Sequence, residues 1–314
     1  MPNREKKADA HLLDVQDLCM TFGSGASAKT VVRKISFHID SGETFGLVGE
    51  SGSGKTTIGR CIIGLHQPGA GSIRFDGTEL TDTKSKEVRE KRTQIQMIFQ
   101  DPMSSLNPRK RVRDIIGAGL DIHHKCSSAE ERSRLIDSYL KKVGLSPEQG
   151  DRYPAQFSGG QRQRVGIARA LIMQPKLIIA DECIAALDAS IQAQVVNLLK
   201  KLCKETDTSL LFISHDLSMV HYLSDRIGVL HLGYLLETGD SDAVFENPIH
   251  PYTKNLLAAV PKPDPIMQHQ TGEGYDPVSA GIIYENGSWH SCEKDPSHRV
   301  WCTDAEWKKW GDGK

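Results

Sequence analysis

The 314-residue sequence contains no apolar run approaching the ~18 to 20 residues that a membrane-crossing helix needs. Its start, MPNREKKADAH, also lacks the apolar stretch of a secretion signal, so the expectation is a chain soluble by itself. Neither charge sign is in surplus: 39 Lys and Arg stand against 40 Asp and Glu. That balance gives no electrostatic reason to expect a nucleic-acid partner. Internal repeats and low-complexity tracts are absent too, which argues against a solenoid. The seven cysteines are an odd number spread along the chain. This is not a secreted disulfide framework; it reads as reduced thiols used as small hydrophobes. The length permits one large or two modest domains with a full core.

What is present is concentrated. GESGSGKTT at 49–57 packs three glycines, one lysine and two threonines into nine positions. TFGLV before it reads as a short buried strand after the turn DSGE, and Ile58, Cys61, Ile62 and Leu65 behind it recur at helical spacing. A glycine-rich turn between a strand and a helix N-terminus presents backbone N–H groups and partial positive charge, for which phosphate is the natural occupant. Gly49, Gly52 and Gly54 would let the backbone close round the anion, with Ser51 in the same binding loop, and Lys55 would reach the outer phosphates. Thr56 would place its hydroxyl on Mg2+, and Thr57 would add a phosphate hydrogen bond. Such a loop suits kinases, GTPases and transport ATPases alike.

A second strand ending in acids is needed for hydrolysis. KLIIADE at 176–182 supplies a buried-type run, then Asp181 for Mg2+ and Glu182 to polarise an attacking water. A third, SLLFISHD, ends near His215, placed to sense a terminal phosphate. The three strand ends are expected at the carboxyl edge of one parallel sheet. Between them, FSGGQRQRVGIARAL at 157–171 starts with Ser158 as a helix N-cap followed by Gly159, Gly160 and Gln161, a second anion-binding helix end.

Two phosphate-binding helix ends in one chain resemble the ATP-binding cassette (ABC) family. The resemblance takes in the phosphate loop, Gln100 in MIFQDP, Ser158 to Gln161, Asp181 and Glu182, Asp188 in ALD, and His215, in the family's order. It implies an α/β P-loop NTPase fold, with a RecA-like, mostly parallel core sheet, a β-subdomain and a helical subdomain at about 101–156. It further implies ATP and Mg2+ as cofactors, with Thr56, Gln100 and Asp181 near the metal and Glu182, His215 and Gln100 serving catalysis. Two subunits would sandwich nucleotide head to tail, with the Ser158–Gln161 stretch of one facing the phosphate loop of the other and Asp188 at the seam. Phe22 in MTFG would stack on adenine, the alternative being an ordinary core phenylalanine.

SSLNPR after Gln100 and HPYT past the cassette carry the resemblance further, over roughly residues 11–265. They are similar to the ATPase subunits of bacterial oligopeptide and dipeptide importers, most like the second of two distinct ATPase subunits. That implies a peripheral subunit on the cytoplasmic face of the cell membrane. Its partners would be two transmembrane permeases, a sister ATPase or a second copy, and an extracytoplasmic solute-binding protein, with no nucleic acid. Nickel, glutathione or glycoside import stays open as an alternative, and more remotely a non-transport cassette acting on ribosomes or DNA.

The expected boundaries are a tail at 1–10, an ABC domain at 11–258 and an extension at 259–314. Six of fourteen prolines fall in 247–277 and all four tryptophans in the last 26 residues, which reads as a connector and an appended module. Two features depart from the family. Cys183 follows Glu182 where proline is usual, and is expected to be a buried inert thiol. His290, Cys292, His298 and Cys302 do not follow a zinc spacing, so a small hairpin packed on Trp289 and Trp301 is expected there.

Overall fold

The computed structural model describes residues 11–81, 85–101, 105–259, 275–277 and 282–311. The tail at 1–10 and residues 260–274 of the proline-rich connector lie outside them. Twelve strands are present among the described residues: β1 Leu13–Phe22, β2 Lys29–Ile39, β3 Thr44–Val48, β4 Ala70–Phe75, β5 Thr78–Glu79 and β6 Ile95–Ile98. They continue with β7 Leu177–Asp181, β8 Ser209–Ser214, β9 Arg226–His231, β10 Tyr234–Asp240, β11 Ser288–Ser291 and β12 Arg299–Cys302. The α-helices are α1 Lys55–Ile62, α2 Lys86–Arg92, α3 Val112–Ile122, α4 Ala129–Lys142 and α5 Gly159–Leu171. After them come α6 Ala189–Thr206, α7 Leu217–Leu223, α8 Ser241–Glu246, α9 Pro251–Ala258 and α10 Asp304–Trp310. No helix among the described residues is long and apolar enough to cross a membrane.

Two compact units divide the chain, and the division runs through β1, β2, β8 and α1. The first takes the chain up to Leu18, then Ser36–Glu43 and Gly59–Leu211. Its small sheet has the order β2-β1-β4-β5, the outer parts of β1 and β2 belonging to the second unit. Its other strands follow the order β8-β7-β6, with β6 and β7 parallel and Ile95 opposite Leu177, Ile98 opposite Ala180. All five residues of β7 are buried, as an apolar strand covered on both faces must be. Around them α3 buries Val112, Ile115, Ile116 and Leu120, and α4 buries Ile136, Tyr139 and Leu140. These apolar positions three and four apart make the stripe by which amphipathic helices pack. Ser128 starts α4 by accepting from the Glu131 N–H, and Arg132 of α4 grips Asp121 of α3 through Nε at 2.6 Å and Nη2 at 2.8 Å.

In the second unit the strand order is β11-β12-β10-β9-β3, with the end of β8 beyond β3. β3 and β9 are parallel, Phe45 opposite Arg226 and Val48 opposite Val229. β9 and β10 form a hairpin that turns at Gly233, whose φ of +85° only glycine adopts readily. The Trp-rich end, read from composition as an appended module, continues this sheet: β12 pairs antiparallel with β10, Glu237 opposite Val300. An uncovered β10 would leave its backbone groups exposed as an edge, and β12 satisfies them. The expected hairpin is formed by β11 and β12, with Trp289 opposite Trp301 and their rings edge to face at 5.6 Å.

Three of the described histidines in this unit, His231, His250 and His298, are buried. His231 stacks on Tyr252 with ring centroids 4.1 Å apart, and His250 is fully buried at the start of α9. Burial lowers the pKa of His231 to about 4, and burial together with His231 and Lys254 lowers that of His250 to about 3. Both are therefore neutral when folded at pH values where an unfolded histidine, near 6.5, takes up a proton. The unfolded state then binds more protons, so stability is lost as pH falls from about 6.5 toward these folded values. Thermal melts should accordingly show Tm falling by several degrees between pH 7 and pH 5. A flat Tm across that interval would mean that the two sites accept protons without penalty.

Candidate functional site

The second unit carries the phosphate-loop candidates. β3 is buried and runs into residues 49–54, after which α1 begins at Lys55. Lys55 is only 3% exposed, and its Nζ donates to the carbonyl oxygens of Gly49 at 2.7 Å and Glu50 at 2.8 Å. The charge is thus drawn inside the loop. The glycines have separate reasons. A Cβ on Gly49 would collide with the Leu230 carbonyl, and one on Gly54 would lie 2.7 Å from the Val31 oxygen at a φ of +110°. Gly52, at φ +81°, has nothing within 4 Å, so backbone conformation alone requires it. Thr56 and Thr57 lie part-exposed in the first turn of α1, whose N–H groups point outward as at every helix start. Ile58, Cys61 and Ile62 are buried as their spacing predicts, but Leu65 lies past the end of α1 and is 59% exposed.

Two contacts escaped the sequence reading. The Glu50 N–H donates to the Tyr252 hydroxyl at 3.0 Å, and the Gly233 N–H donates to the Ser53 carbonyl at 3.0 Å. Tyr252 belongs to HPYT, which sequence alone marked as a subfamily signal with no task. His215 is exposed directly after β8, the strand next to β3 in this unit. Asp216 beside it caps α7, accepting from the N–H groups of Ser218 and Met219 at 2.9 and 3.2 Å. Phe22 is 39% exposed at the end of β1, so the core alternative fails for it.

In the first unit, the parallel register of β6 and β7 ends both strands side by side. Gln100 and Glu182 meet there: Gln100 Nε2 donates to Glu182 Oε2 at 3.0 Å. Glu182 has a φ of +42°, a left-handed conformation that residues other than glycine seldom adopt. Asp181 is 2% exposed and lines a cavity of about 370 Å3 with Arg60, Phe99, Gln100, Asp101 and Ser105. Carboxylate and amide oxygens are the donor type a hard cation such as Mg2+ takes, and Asp181 and Gln100 supply them in this lining, so these residues fit that ion. Arg60 was missed because a lone arginine in a helix carries no motif. Cys183 is buried, and burial pushes its thiol pKa up to about 12, which keeps it protonated and unreactive near neutral pH.

Ser158 caps α5 as expected. Its Oγ accepts from the Gln161 N–H at 3.3 Å while Gln161 Oε1 accepts from the Ser158 N–H at 3.0 Å, a reciprocal capping box. Gly160 has a packing reason besides: a Cβ there would lie 2.6 Å from Ile191 Cγ2 of α6. Asp188 is the exposed N-cap of α6, and its side chain makes no capping hydrogen bond.

Residues 32–185 match the family described as ABC transporter, and residues 236–280 match "Oligopeptide/dipeptide transporter, C-terminal region". The chain is 50% identical over 308 residues to the oligopeptide transport ATP-binding protein OppF of Streptococcus mutans, covering 98% of this chain and 97% of that protein. The chain belongs to the ABC transporter ATPase family. Another relative, the dipeptide transport ATP-binding protein DppF of Lactococcus lactis, is 48% identical over 299 residues, covering 94% of this chain and 95% of that one. Among solved structures, the ATP-binding cassette MJ0796, a dimer in a post-hydrolysis state bound to ADP and Pi, aligns with a TM-score of 0.67 at 28% identity. That alignment covers 73% of this chain and 98% of the other. The α/β architecture is that of ABC cassettes, and nucleotide binding and ATP hydrolysis are general to the family.

For this ABC ATPase the buried ammonium gives a direct test. Lys55→Ala should weaken ATP affinity roughly ten- to a hundredfold, the range for lost charge-assisted hydrogen bonds. Gly54→Ala should weaken it through the backbone with Lys55 intact. Calorimetric titration of both variants with ATP checks this, and wild-type affinity in both would take the loop away from nucleotide.

Proposed function

We propose that this chain is the ATP-hydrolysing motor of a membrane importer whose cargo is oligopeptides or dipeptides. The match of residues 236–280 to the oligopeptide/dipeptide transporter C-terminal region carries the reading, because a general cassette does not need it. The near full-length likeness to OppF and DppF supports it. Lys55 and the loop Gly49–Thr57, with Ser51 and Gly52 in its turn, hold the phosphates. Phe22, an exposed aromatic, stacks on adenine.

Thr56, Asp181 and Gln100 are the residues that would hold Mg2+, which supplies charge neutralisation at the phosphates. Glu182 orients the attacking water, its carboxyl fixed by the Gln100 hydrogen bond, and His215 reports the terminal phosphate. Ser158, Gly159, Gly160, Gln161 and Asp188 act across a head-to-tail dimer on the nucleotide held by the other subunit. MJ0796, solved as a dimer, supports the pairing of two cassettes.

The helical segment at about 101–156 docks on two transmembrane permeases at the cytoplasmic face of a bacterial membrane. Ile122, 71% exposed, and Tyr153, 43% exposed, offer apolar surface there. A sister ATPase completes the motor, and an extracytoplasmic binding protein selects cargo. The domain boundaries 11–258 and 259–314 stay part of this reading.

Glu182→Gln should keep ATP binding, stop most hydrolysis and hold the dimer closed. Tagging that variant and solubilising membranes with ATP present should recover two permeases and a second, different ATPase, identified by mass spectrometry. Recovery of a lone homodimer, or of ribosomes, would sink the transport reading.

A further inference from the structure

The phosphate loop is held from behind by a residue that no nucleotide reaches. Tyr252 is fully buried, and its hydroxyl accepts the backbone N–H of Glu50, whose own carbonyl receives the Lys55 ammonium. A shift of Tyr252 therefore moves the peptide that seats the lysine. Two supports fix Tyr252, and both lead to the C-terminal segment. On one side its ring lies flat against His231, tilted by 22°, and His231 Nδ1 is 2.8 Å from the hydroxyl of Tyr284.

On the other side the Tyr252 N–H donates to His250 Nδ1 at 3.0 Å. The N–H groups of Ile249 and His250 donate to the two side-chain oxygens of Glu237, at 2.8 and 3.0 Å. His298 Nε2 sits 2.7 Å from the same side chain. Glu237 has no exposed surface and His298 has 3%, so each is costly to bury without the other. Trp310 closes the edge, its ring 5.2 Å from that of His250.

We propose that residues 284–310 form a strap that sets the phosphate loop, with Tyr284 and His298 as positioning residues acting through Tyr252. This rests on the reading of residues 49–57 as the nucleotide site. The strap gives a task to three features that sequence analysis left idle: HPYT, the tryptophan-rich end, and a histidine weighed only as a metal ligand. It also explains why a strand pair is added to the sheet beside β10, since β12 brings His298 to Glu237 through the pairing of Glu237 with Val300. His231 and His250, lowered by burial to about 4 and about 3, remain neutral in the working range.

The test measures ATP affinity by calorimetry, KM and kcat by steady-state hydrolysis, and Tm, on the full chain. Tyr252→Phe keeps the ring against His231 and removes only the acceptor. Affinity should fall roughly three- to tenfold, the effect of one lost neutral hydrogen bond. KM should rise in step while kcat changes little, because the acids that serve hydrolysis are untouched. Tyr284→Phe and His298→Ala should weaken affinity in the same direction, and His298→Gln, which can still donate to Glu237, should restore most of it.

Should Tyr252→Phe fail to fold, the His298→Ala and His298→Gln pair decides the matter alone. A lowered Tm with wild-type ATP affinity in these variants, while Lys55→Ala loses affinity, would overturn the strap and leave the nucleotide site standing. Wild-type affinity in Lys55→Ala as well would overturn both.

Discussion

A lysine ammonium held inside a turn of backbone is the constraint from which much of the second unit follows. Lys55 is almost without solvent, and its charge is matched by two peptide carbonyls of the loop it follows. Such a group tolerates burial only while its acceptors stay in place. The carbonyls stay because Gly49 and Gly54 have no side chains to push the loop off Leu230 and Val31, because Gly233 ties Ser53, and because Tyr252 takes the Glu50 amide. The parallel pairing of β3 with β9 then places Leu230 and Gly233 where the loop needs them. A glycine-rich turn readable as a local motif thus has distant foundations.

The first unit solves a different problem, that of aiming carboxyl groups. Parallel strands ending in register bring Gln100 to Glu182, and the buried end of β7 sets Asp181 against a cavity that Gln100 also lines. Ser158 and Gln161 cap each other at the start of α5, which orients the glycines following the cap. At Gly160 two demands coincide, since the position facing outward as a helix end also lies against Ile191. A glycine proposed for anion binding can equally be required by packing, as the Ile191 contact requires this one.

The strand, loop and helix around Lys55, the acidic end of β7 and the cap at Ser158 could be read from sequence because each depends on neighbours within about ten residues. Buried-strand runs, helical spacing and capping residues are all local signals. What could not be read depends on pairing across the chain. Glu50 and Tyr252 are 202 residues apart, and Glu237 and His298 are 61 apart. No periodicity encodes such partners. Leu65 fitted the helical spacing, yet α1 stops at Ile62, so the pattern outran the helix. The tryptophan-rich end looked detached because composition changes there, whereas backbone pairing, which is blind to composition, joins β12 to β10.

The left-handed backbone at Glu182 sets folding and chemistry against each other. A φ of +42° costs a glutamate on the order of 1 to 3 kcal/mol that a glycine would not incur. Stability alone favours glycine at this position, whereas the glutamate there sets a carboxyl beside Gln100. On the role proposed for Glu182, lineages released from hydrolysing nucleotide would lose this side chain early, gaining a more relaxed turn as they do so.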